Sequence, residues 1–251
     1  MRVLADTIYA GHPPLASPSP RGWRLPSPCG VCGSWSSPAG LCIDCLRRFA
    51  PRAARCQRCA LRVSEGQLLC GRCLHQPLRF ERAVTAFDYA FPWVRVIAEL
   101  KFREGLGWAS PLARCLADRV HEDAAPIADL ITAVPLSPQR LQQRGYNQSW
   151  EVAHRVAGLV QRPCAPGLLL RLRDTPQQAQ LDHAQRSANL RGAFMPGGAA
   201  ARSAVKGRCV ALVDDVLTTG ATADEAAAAL LEAGARAVHV WVLARTERDD
   251  A

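Results

Sequence analysis

Eight of the eleven cysteines form four C-x2-C pairs in the first third of the chain. The pairs are separated by nine, ten and ten residues, and the two thiolates of such a pair can reach one metal ion at about 2.3 Å. Two pairs complete a closed tetrahedral shell of sulfur, so the spacing predicts two structural zinc sites. The predicted ligands are Cys29, Cys32, Cys42, Cys45, Cys56, Cys59, Cys70 and Cys73.

The simplest assignment of these ligands joins neighbouring pairs, as in tandem zinc ribbons. The pairs from Cys29 to Cys45 then hold one ion and the pairs from Cys56 to Cys73 hold the other. An interleaved, RING-like pairing fits the same spacing, and an iron–sulfur cluster also takes four thiolates. Four thiolates leave no open coordination position, which indicates a metal that folds the module and is not catalytic. The segment is also poor in aliphatic residues and needs metal in place of a core.

A second group of reactive side chains lies in the segment CVALVDDVLTTGATADE, from Cys209 to Glu225. An apolar strand leads to Asp214 and Asp215, whose carboxylates can accept hydrogen bonds from the hydroxyls of a ribose. The turn that follows is rich in hydroxyl groups, and its amides and the next helix N-terminus can hold a dianionic phosphate. The segment therefore predicts a ribose 5-phosphate site at Asp214, Asp215, Thr218, Thr219, Gly220, Ala221 and Thr222.

Other nucleotide-binding patterns are missing from the sequence. It contains neither the G-x-x-x-x-G-K-[ST] motif of P-loop proteins nor the G-x-G-x-x-G motif of dinucleotide-binding domains. These two classes are therefore disfavoured.

Alternating strands and helices are predicted from about residue 81 onward. The predicted strands are 83–89, 130–134, 209–213 and 238–243, the predicted helices are 93–102, 112–121, 148–159 and 222–233, and a short apolar run covers 168–170. Such alternation is typical of α/β proteins, in which helices flank a parallel sheet. We expect a Pro/Ser-rich leader over residues 1–28, a double zinc ribbon over 29–78 and the α/β domain over 81–248.

Positive charge is concentrated around the cysteines. The formal net charge is +9, and the first 82 residues hold 12 arginines against four acidic residues, so that +8 of it lies there. Arginines beside aromatic side chains can bind the backbone and stack on the bases of single-stranded DNA. A solvated surface is the alternative interpretation of the same arginines. The residues concerned are Arg47, Arg48, Arg52, Arg55, Arg58 and Arg62, with Trp35 and Phe49 nearby.

The composition also predicts where the protein resides. No stretch approaches the about 18 consecutive apolar residues of a membrane span, so no membrane insertion is expected. Residues 1–28 contain Asp6, His12 and a proline-rich run instead of an apolar core, unlike a secretory signal. Cysteines in such a chain are expected to stay reduced, which predicts a cytoplasmic protein.

The segment VDDVLTTGAT resembles the motif by which type I phosphoribosyltransferases bind 5-phosphoribosyl 1-pyrophosphate (PRPP). Together with the cysteine pairs, the chain resembles the ComF family of competence-associated proteins. Two further segments carry this resemblance, RLQQRGYNQS from Arg140 to Ser149 and TPQQAQLDHAQRSANLRGAF from Thr175 to Phe194. The resemblance covers roughly residues 29 to 246.

The resemblance implies a type I phosphoribosyltransferase fold behind a small zinc-ribbon module. It assigns Asp214 and Asp215 to the ribose and the turn after them to the 5-phosphate. Arg140 and Arg144 would lie near the pyrophosphate leaving group, which Mg2+ would bridge. Loss of pyrophosphate leaves an oxocarbenium-like carbon, so the protein would mainly neutralise charge and position the reactants. Residues 177–189 take the place of a mobile substrate loop, and Lys101 is interpreted as a solvated helix lysine in preference to a functional cation.

The family context implies a role in the uptake or processing of transforming DNA. Our leading hypothesis is a protein that binds single-stranded DNA through the zinc module and retains a PRPP site, with a competence helicase as a partner. A PRPP-dependent transferase acting on a base, a nucleotide or a DNA end is the alternative. A non-catalytic sensor of PRPP or a nucleotide is the second alternative.

Overall fold

The computed structural model describes residues 27–35, 40–125, 127–173 and 192–247. The predicted leader lies outside the described residues except for residues 27 and 28. The predicted substrate-loop segment 177–189 lies outside them as well.

Strands and helices alternate along most of the described chain. The strands are β1 (Arg82–Asp88), β2 (Leu130–Ala133), β3 (Leu169–Arg171), β4 (Phe194–Pro196), β5 (Cys209–Leu217) and β6 (Ala237–Arg245). The helices are α1 (Ile43–Phe49), α2 (Gly71–His75), α3 (Trp93–Leu100), α4 (Ala109–Glu122), α5 (Pro138–Arg144), α6 (Gln148–Leu159), α7 (Ala199–Val205) and α8 (Ala221–Glu232). A 3-10 helix over Arg103–Trp108 joins α3 to α4. None of the helices in these ranges is both long and apolar enough to cross a membrane.

Four strands form one parallel sheet in the order β1-β6-β5-β2. In this sheet Val213 of β5 pairs with Ala133 of β2 on one side and with Trp241 of β6 on the other. Strands β3 and β4 form a separate antiparallel pair. The predicted α/β class, a parallel sheet flanked by helices behind a small cysteine-rich module, is confirmed.

The two faces of the sheet are both buried, because successive side chains of a strand point to opposite faces. Ala211 and Val213 of β5 face the layer that contains α4 and α6. Val210 and Leu212 face the opposite layer, where α8 packs on the sheet together with β3 and β4. The first cysteine cluster packs into the α4 and α6 layer, whereas the second forms a small buried cluster of its own.

The structure departs from the predicted elements mainly at their ends. Strand β5 continues to Leu217 and not only to residue 213, because β6 still pairs with it after β2 has ended at Ala133. Helix α5 was not predicted, although residues at both of its ends favour helix boundaries. Ser137 caps its first turn, Pro138 is its first residue, and Gly145 ends it at a positive φ of 76°. The short helices α1, α2 and α7 were also missed.

Candidate functional site

Asp214 and Asp215 lie near the end of β5, beyond the last residue of β2. The Oδ1 atom of Asp214 accepts hydrogen bonds from Ser149 Oγ at 3.0 Å and from the amide of Asp215 at 2.9 Å. The Oδ2 atom of Asp215 accepts a hydrogen bond from Gln148 Nε2 at 3.0 Å, and its Oδ1 atom accepts one from the amide of Val216 at 2.7 Å. Both carboxylates are therefore fixed by α6 and by the strand itself.

The start of α6 is held in place by its N-cap residue, Asn147. Its side-chain oxygen accepts hydrogen bonds from the amides of Ser149 and Trp150, and its Nδ2 atom donates to the carbonyl of Val134 at 2.9 Å. This side chain satisfies amides of the first helical turn and ties the helix to the end of β2. Gln148 and Ser149 consequently face the acid pair on the neighbouring strand.

Burial and the repulsion between the two carboxylates favour the protonated form of Asp214. Burial and the negative charge of Asp215 raise the pKa of Asp214 to about 7, despite the hydrogen bonds from the Asp215 amide and from Ser149. The ammonium of Lys101 lies 3.6 Å from Asp215 Oδ2, and only 26% of its side chain is exposed. Its interpretation as a solvated helix lysine is therefore wrong.

The predicted phosphate turn follows the acid pair directly. Thr218 is exposed, and Gly220 has a positive φ of 84°, a conformation that glycine adopts without strain. Helix α8 begins at Ala221, one residue earlier than predicted, and the amide of Ala221 donates to Thr219 Oγ1 at 3.4 Å. Thr222 lies in the first turn of that helix. The structure thus brings the acid pair and this turn to one end of β5.

The two arginines predicted for the pyrophosphate side lie one turn apart on α5. Arg144 Nη1 donates to Gln148 Oε1 at 3.0 Å, so Gln148 connects Arg144 to Asp215. The amide of Arg140 donates to the capping Ser137 Oγ at 3.4 Å. The sequence motif RGYNQS contained Gln148 and Ser149, but their contacts with the acid pair depend on the pairing of β2 with β5, which the motif alone does not show.

The cysteine pairs converge on two clusters. Within each cluster all ligand atoms lie within 4.8 Å of one another, and the two sets are those of the sequential pairing: Cys29, Cys32, Cys42 and Cys45, then Cys56, Cys59, Cys70 and Cys73. The interleaved pairing is therefore wrong. Burial raises the pKa of Cys73 to about 12; Cys70 and Cys56 add to this effect, and a hydrogen bond with Cys59 opposes it. A divalent cation removes this cost of ionisation, and four sulfur ligands suit structural zinc.

Most of the arginines predicted to contact DNA are bound within the protein. Arg55 and Arg62 both pair with Asp88, Arg58 Nη1 donates to the carbonyl of Leu78 at 2.8 Å, and Arg52 pairs with Glu122. Four of the six arginines thus have partners within the protein, although the side chain of Arg52 stays 76% exposed.

Arg47 and Arg48 remain as exposed cations on α1. The guanidinium of Arg48 lies 5.3 Å from the centre of the Phe49 ring, and Phe49 makes an edge contact at 5.6 Å with Phe91. Phe91 is 74% exposed, a large exposure for an aromatic side chain. Cation and aromatic rings therefore meet on one small surface.

Several known proteins are similar to this chain. The DNA utilization protein YhgH of Escherichia coli K12 is 35% identical over 232 residues, which cover 88% of this chain and 98% of that protein. The same protein of Salmonella typhi is 35% identical, with 82% and 91% covered. Competence protein F of Haemophilus influenzae is 32% identical, with 82% and 90% covered. No protein-family model matches the chain.

Two solved structures also align with part of the chain. The allosteric regulatory enzyme of purine biosynthesis is 26% identical, with a TM-score of 0.35, over 59% of this chain and 25% of that one. Glutamine PRPP amidotransferase from B. subtilis is 23% identical, with a TM-score of 0.38, over 58% and 30%. The identities to YhgH and competence protein F over most of the chain establish that this chain belongs to their family, the ComF family that its motifs resemble.

Proposed function

We propose that the chain binds PRPP with Mg2+ at the end of β5, as a component of DNA utilisation. The single observation that carries this proposal is the placement of two fixed carboxylates, Asp214 and Asp215, immediately before the turn that opens α8. The names of the relatives, DNA utilization protein and competence protein, supply the biological context.

The acid pair has the hydrogen-bonding capacity that a ribose requires. Ser149 and the Asp215 amide occupy Oδ1 of Asp214, while Oδ2 accepts no hydrogen bond from the described residues. A ribose hydroxyl can donate to this atom. The turn follows the acid pair directly, at the N-terminus of a 12-residue helix, where amides and the helix dipole favour a phosphate.

Two cations are connected to Asp215. Lys101 contacts Asp215, and Arg144 reaches it through Gln148. These two cations, together with Arg140, which lies on α5 with Arg144, would neutralise the pyrophosphate of PRPP. Mg2+ prefers carboxylate and phosphate oxygens, so Asp215 and the ligand would hold it and it would supply further positive charge.

Titration calorimetry of the zinc-loaded protein with PRPP and Mg2+ tests this proposal. The double variant Asp214→Asn/Asp215→Asn should bind about 100-fold more weakly, because two hydrogen bonds to charged acceptors are lost. Asp118→Asn, which changes an exposed carboxylate on α4, should bind like the wild type. Equal affinity of the double variant and the wild type would refute the assignment of the acid pair.

The second candidate function is binding of single-stranded DNA at α1. It is favoured by the surface formed by Arg48, Phe49 and Phe91, which offers both phosphate contacts and ring stacking, with Arg47 as a second exposed cation on the same helix. Fluorescence anisotropy with a labelled oligothymidine should detect binding that weakens with salt. Removing both cations in Arg47→Ala/Arg48→Ala should reduce the slope of log affinity against log salt by about 1.4. Arg202→Ala on α7 serves as the control, and an unchanged slope in the double variant would exclude this surface.

Catalysis and sensing are distinguished by turnover. Release of pyrophosphate that depends on an added base, nucleotide or DNA end would identify a transferase, whereas saturable PRPP binding without release would identify a sensor. We further propose a cytoplasmic location, where thiol ligands stay reduced. A competence helicase as a partner stays a prediction.

A further inference from the structure

The second cysteine cluster is connected to the phosphate turn by an arginine inside its last cysteine pair. Arg72 lies between Cys70 and Cys73, and its Nη1 atom donates to the carbonyl of Thr219 at 2.7 Å. The side chain is partly buried between the two segments, which are far apart in the sequence. A hydrogen bond from a charged donor to a carbonyl is stronger than one between neutral groups.

A second arginine, at the end of the last strand, also connects the second cysteine cluster to the phosphate turn. Arg245, at the end of β6, is 3% exposed, and its Nε atom donates to the carbonyl of Cys59 at 2.9 Å. Its Nη1 atom donates to the carbonyls of Leu217 at 3.0 Å and Thr218 at 2.6 Å. One buried guanidinium therefore holds a cysteine of the cluster and the beginning of the turn together.

A third arginine links the segment after the cluster to the first turn of α8. The amide of Arg79 donates to Asp224 Oδ1 at 2.5 Å, and its guanidinium pairs with Asp224 at 2.9 Å and with Glu225 at 2.7 Å. Two acidic side chains so close to a helix N-terminus would repel a bound phosphate. The single positive charge of Arg79 offsets part of their negative charge.

These contacts determine which way the peptide groups of the turn point. In a trans peptide unit the carbonyl and the following N–H point in opposite directions. Because arginines tie the carbonyls of Thr218 and Thr219 to the cysteine cluster, the amides of Thr219 and Gly220 are directed away from it. Amides directed outward from a turn are the donors that a phosphate requires.

We infer that the Cys56–Cys73 module is a structural part of the ribose-phosphate site, and that metal in this cluster sets the affinity of the turn for the 5-phosphate. The inference rests on the proposed PRPP site. Four sulfur atoms within 4.8 Å of one another fit a zinc ion, which would fix the cysteine pairs that carry Arg72 and the Cys59 carbonyl. Arg72 and Arg245 are positioning residues, since they act on the ligand through the turn.

The first test removes the contact of Arg72 with the turn and leaves the metal ligands intact. Arg72→Ala in the full chain should bind PRPP about tenfold more weakly, the effect of one charge-assisted hydrogen bond, with its zinc content unchanged. Hydrogen exchange of the amides of residues 218–221 should accelerate in the unliganded protein. Arg119→Ala is the matched control, because Arg119 also donates to a main-chain carbonyl, that of Ala50 at 2.8 Å, but away from the turn. Wild-type affinity and wild-type exchange in Arg72→Ala would overturn the inference.

The second test removes the metal from this cluster. Cys73→Ser should lower the zinc content and accelerate exchange of the same turn amides, while the amides of β2 and β5 exchange as in the wild type and show that the sheet is intact. Unchanged exchange at the turn would overturn the inference. If the wild type itself binds no PRPP, the proposed function fails, whereas the exchange measurements, made without ligand, still decide whether the cluster orders the turn.

Discussion

Gln148 donates a hydrogen bond from Nε2 to Oδ2 of Asp215 across 3.0 Å and joins the first residue of α6 to the acid pair of β5. The Oε1 atom of the same amide accepts a hydrogen bond from Arg144. Gln148 is buried, so its two contacts fix the rotamer of both charged partners. An uncharged side chain thereby places a cation and an anion at a set distance in the candidate site.

The first prediction concerns this amide. Gln148→Ala should weaken PRPP binding by about tenfold, because Arg144 and Asp215 both lose a partner that orients them. Calorimetric titration at fixed Mg2+ measures the effect. Gln143→Ala on α5 removes an exposed amide of the same kind and should bind like the wild type. A Gln148→Ala protein with wild-type affinity would show that this chain of contacts is not used in binding.

The second prediction concerns pH. The pKa of Asp214 is raised to about 7 by burial and by the charge of Asp215, so the carboxyl is largely protonated at pH 6 and ionised at pH 8. An ionised carboxylate accepts hydrogen bonds from ribose hydroxyls better than a protonated one. PRPP affinity should therefore rise between pH 6 and pH 8.

Comparison with Asp214→Asn separates this effect from the ionisation of the ligand. The 5-phosphate loses its second proton with a pKa of about 6 in both proteins, so that contribution is shared. Only the wild type should show the additional rise near pH 7. Parallel profiles for the two proteins would contradict a titrating Asp214 in the site.

Local patterns in the sequence contained much of this architecture. The C-x2-C spacing predicted both cysteine clusters, because the two-residue spacer alone decides whether both thiolates of a pair can bind one metal ion. Alternation of apolar strands and helices predicted the parallel sheet, and Asp214 and Asp215 were found near the end of one of its two interior strands. Helix α5 was missed even though Ser137 and Gly145 mark its ends, since its seven residues include no buried side chain.

The remaining contacts depend on tertiary packing. Arg245 follows an apolar strand as an ordinary basic residue, and nothing nearby in the sequence indicates that it meets the carbonyl of Cys59. The same holds for Lys101, which a helical pattern alone assigns to solvent. The excess of positive charge near the cysteines was evident from the sequence. Which of these arginines form ion pairs within the protein and which stay exposed depends on where Asp88 lies in the fold.

The third prediction concerns that carboxylate. Asp88 is buried, which alone would raise its pKa, but hydrogen bonds from Arg62 and Arg55 hold the pKa below its ordinary value. A lowered pKa contributes stability at neutral pH that is lost as the pH falls through the acidic range. Asp88→Asn should lower the free energy of unfolding at pH 7 by about 1 to 2 kcal/mol, a value reduced for the exposure of Arg62.

Denaturant unfolding at pH 7 and at pH 4 measures this contribution. The difference between Asp88→Asn and the wild type should begin to shrink at the lower pH, because the unfolded chain starts to bind a proton at this carboxylate near pH 4, whereas the folded protein, with its lowered pKa, does not. Glu247→Gln is the control, since Glu247 is 71% exposed and lies 3.8 Å from Arg62. A constant difference at both pH values would assign the loss to packing and not to charge.

The fourth prediction separates stacking from charge at the DNA surface. Phe91 is exposed beside Phe49 but carries no charge, so Phe91→Ala should weaken oligothymidine binding by about tenfold without changing its dependence on salt. Phe102→Ala removes another phenylalanine, 67% exposed and not part of this ring pair, and serves as the control. Anisotropy titrations across a range of salt concentrations give affinity and slope together. A change in the slope of log affinity against log salt in Phe91→Ala would mean that the ring acts by positioning Arg48. Equal affinities of Phe91→Ala and the wild type would mean that the DNA does not bind at this surface.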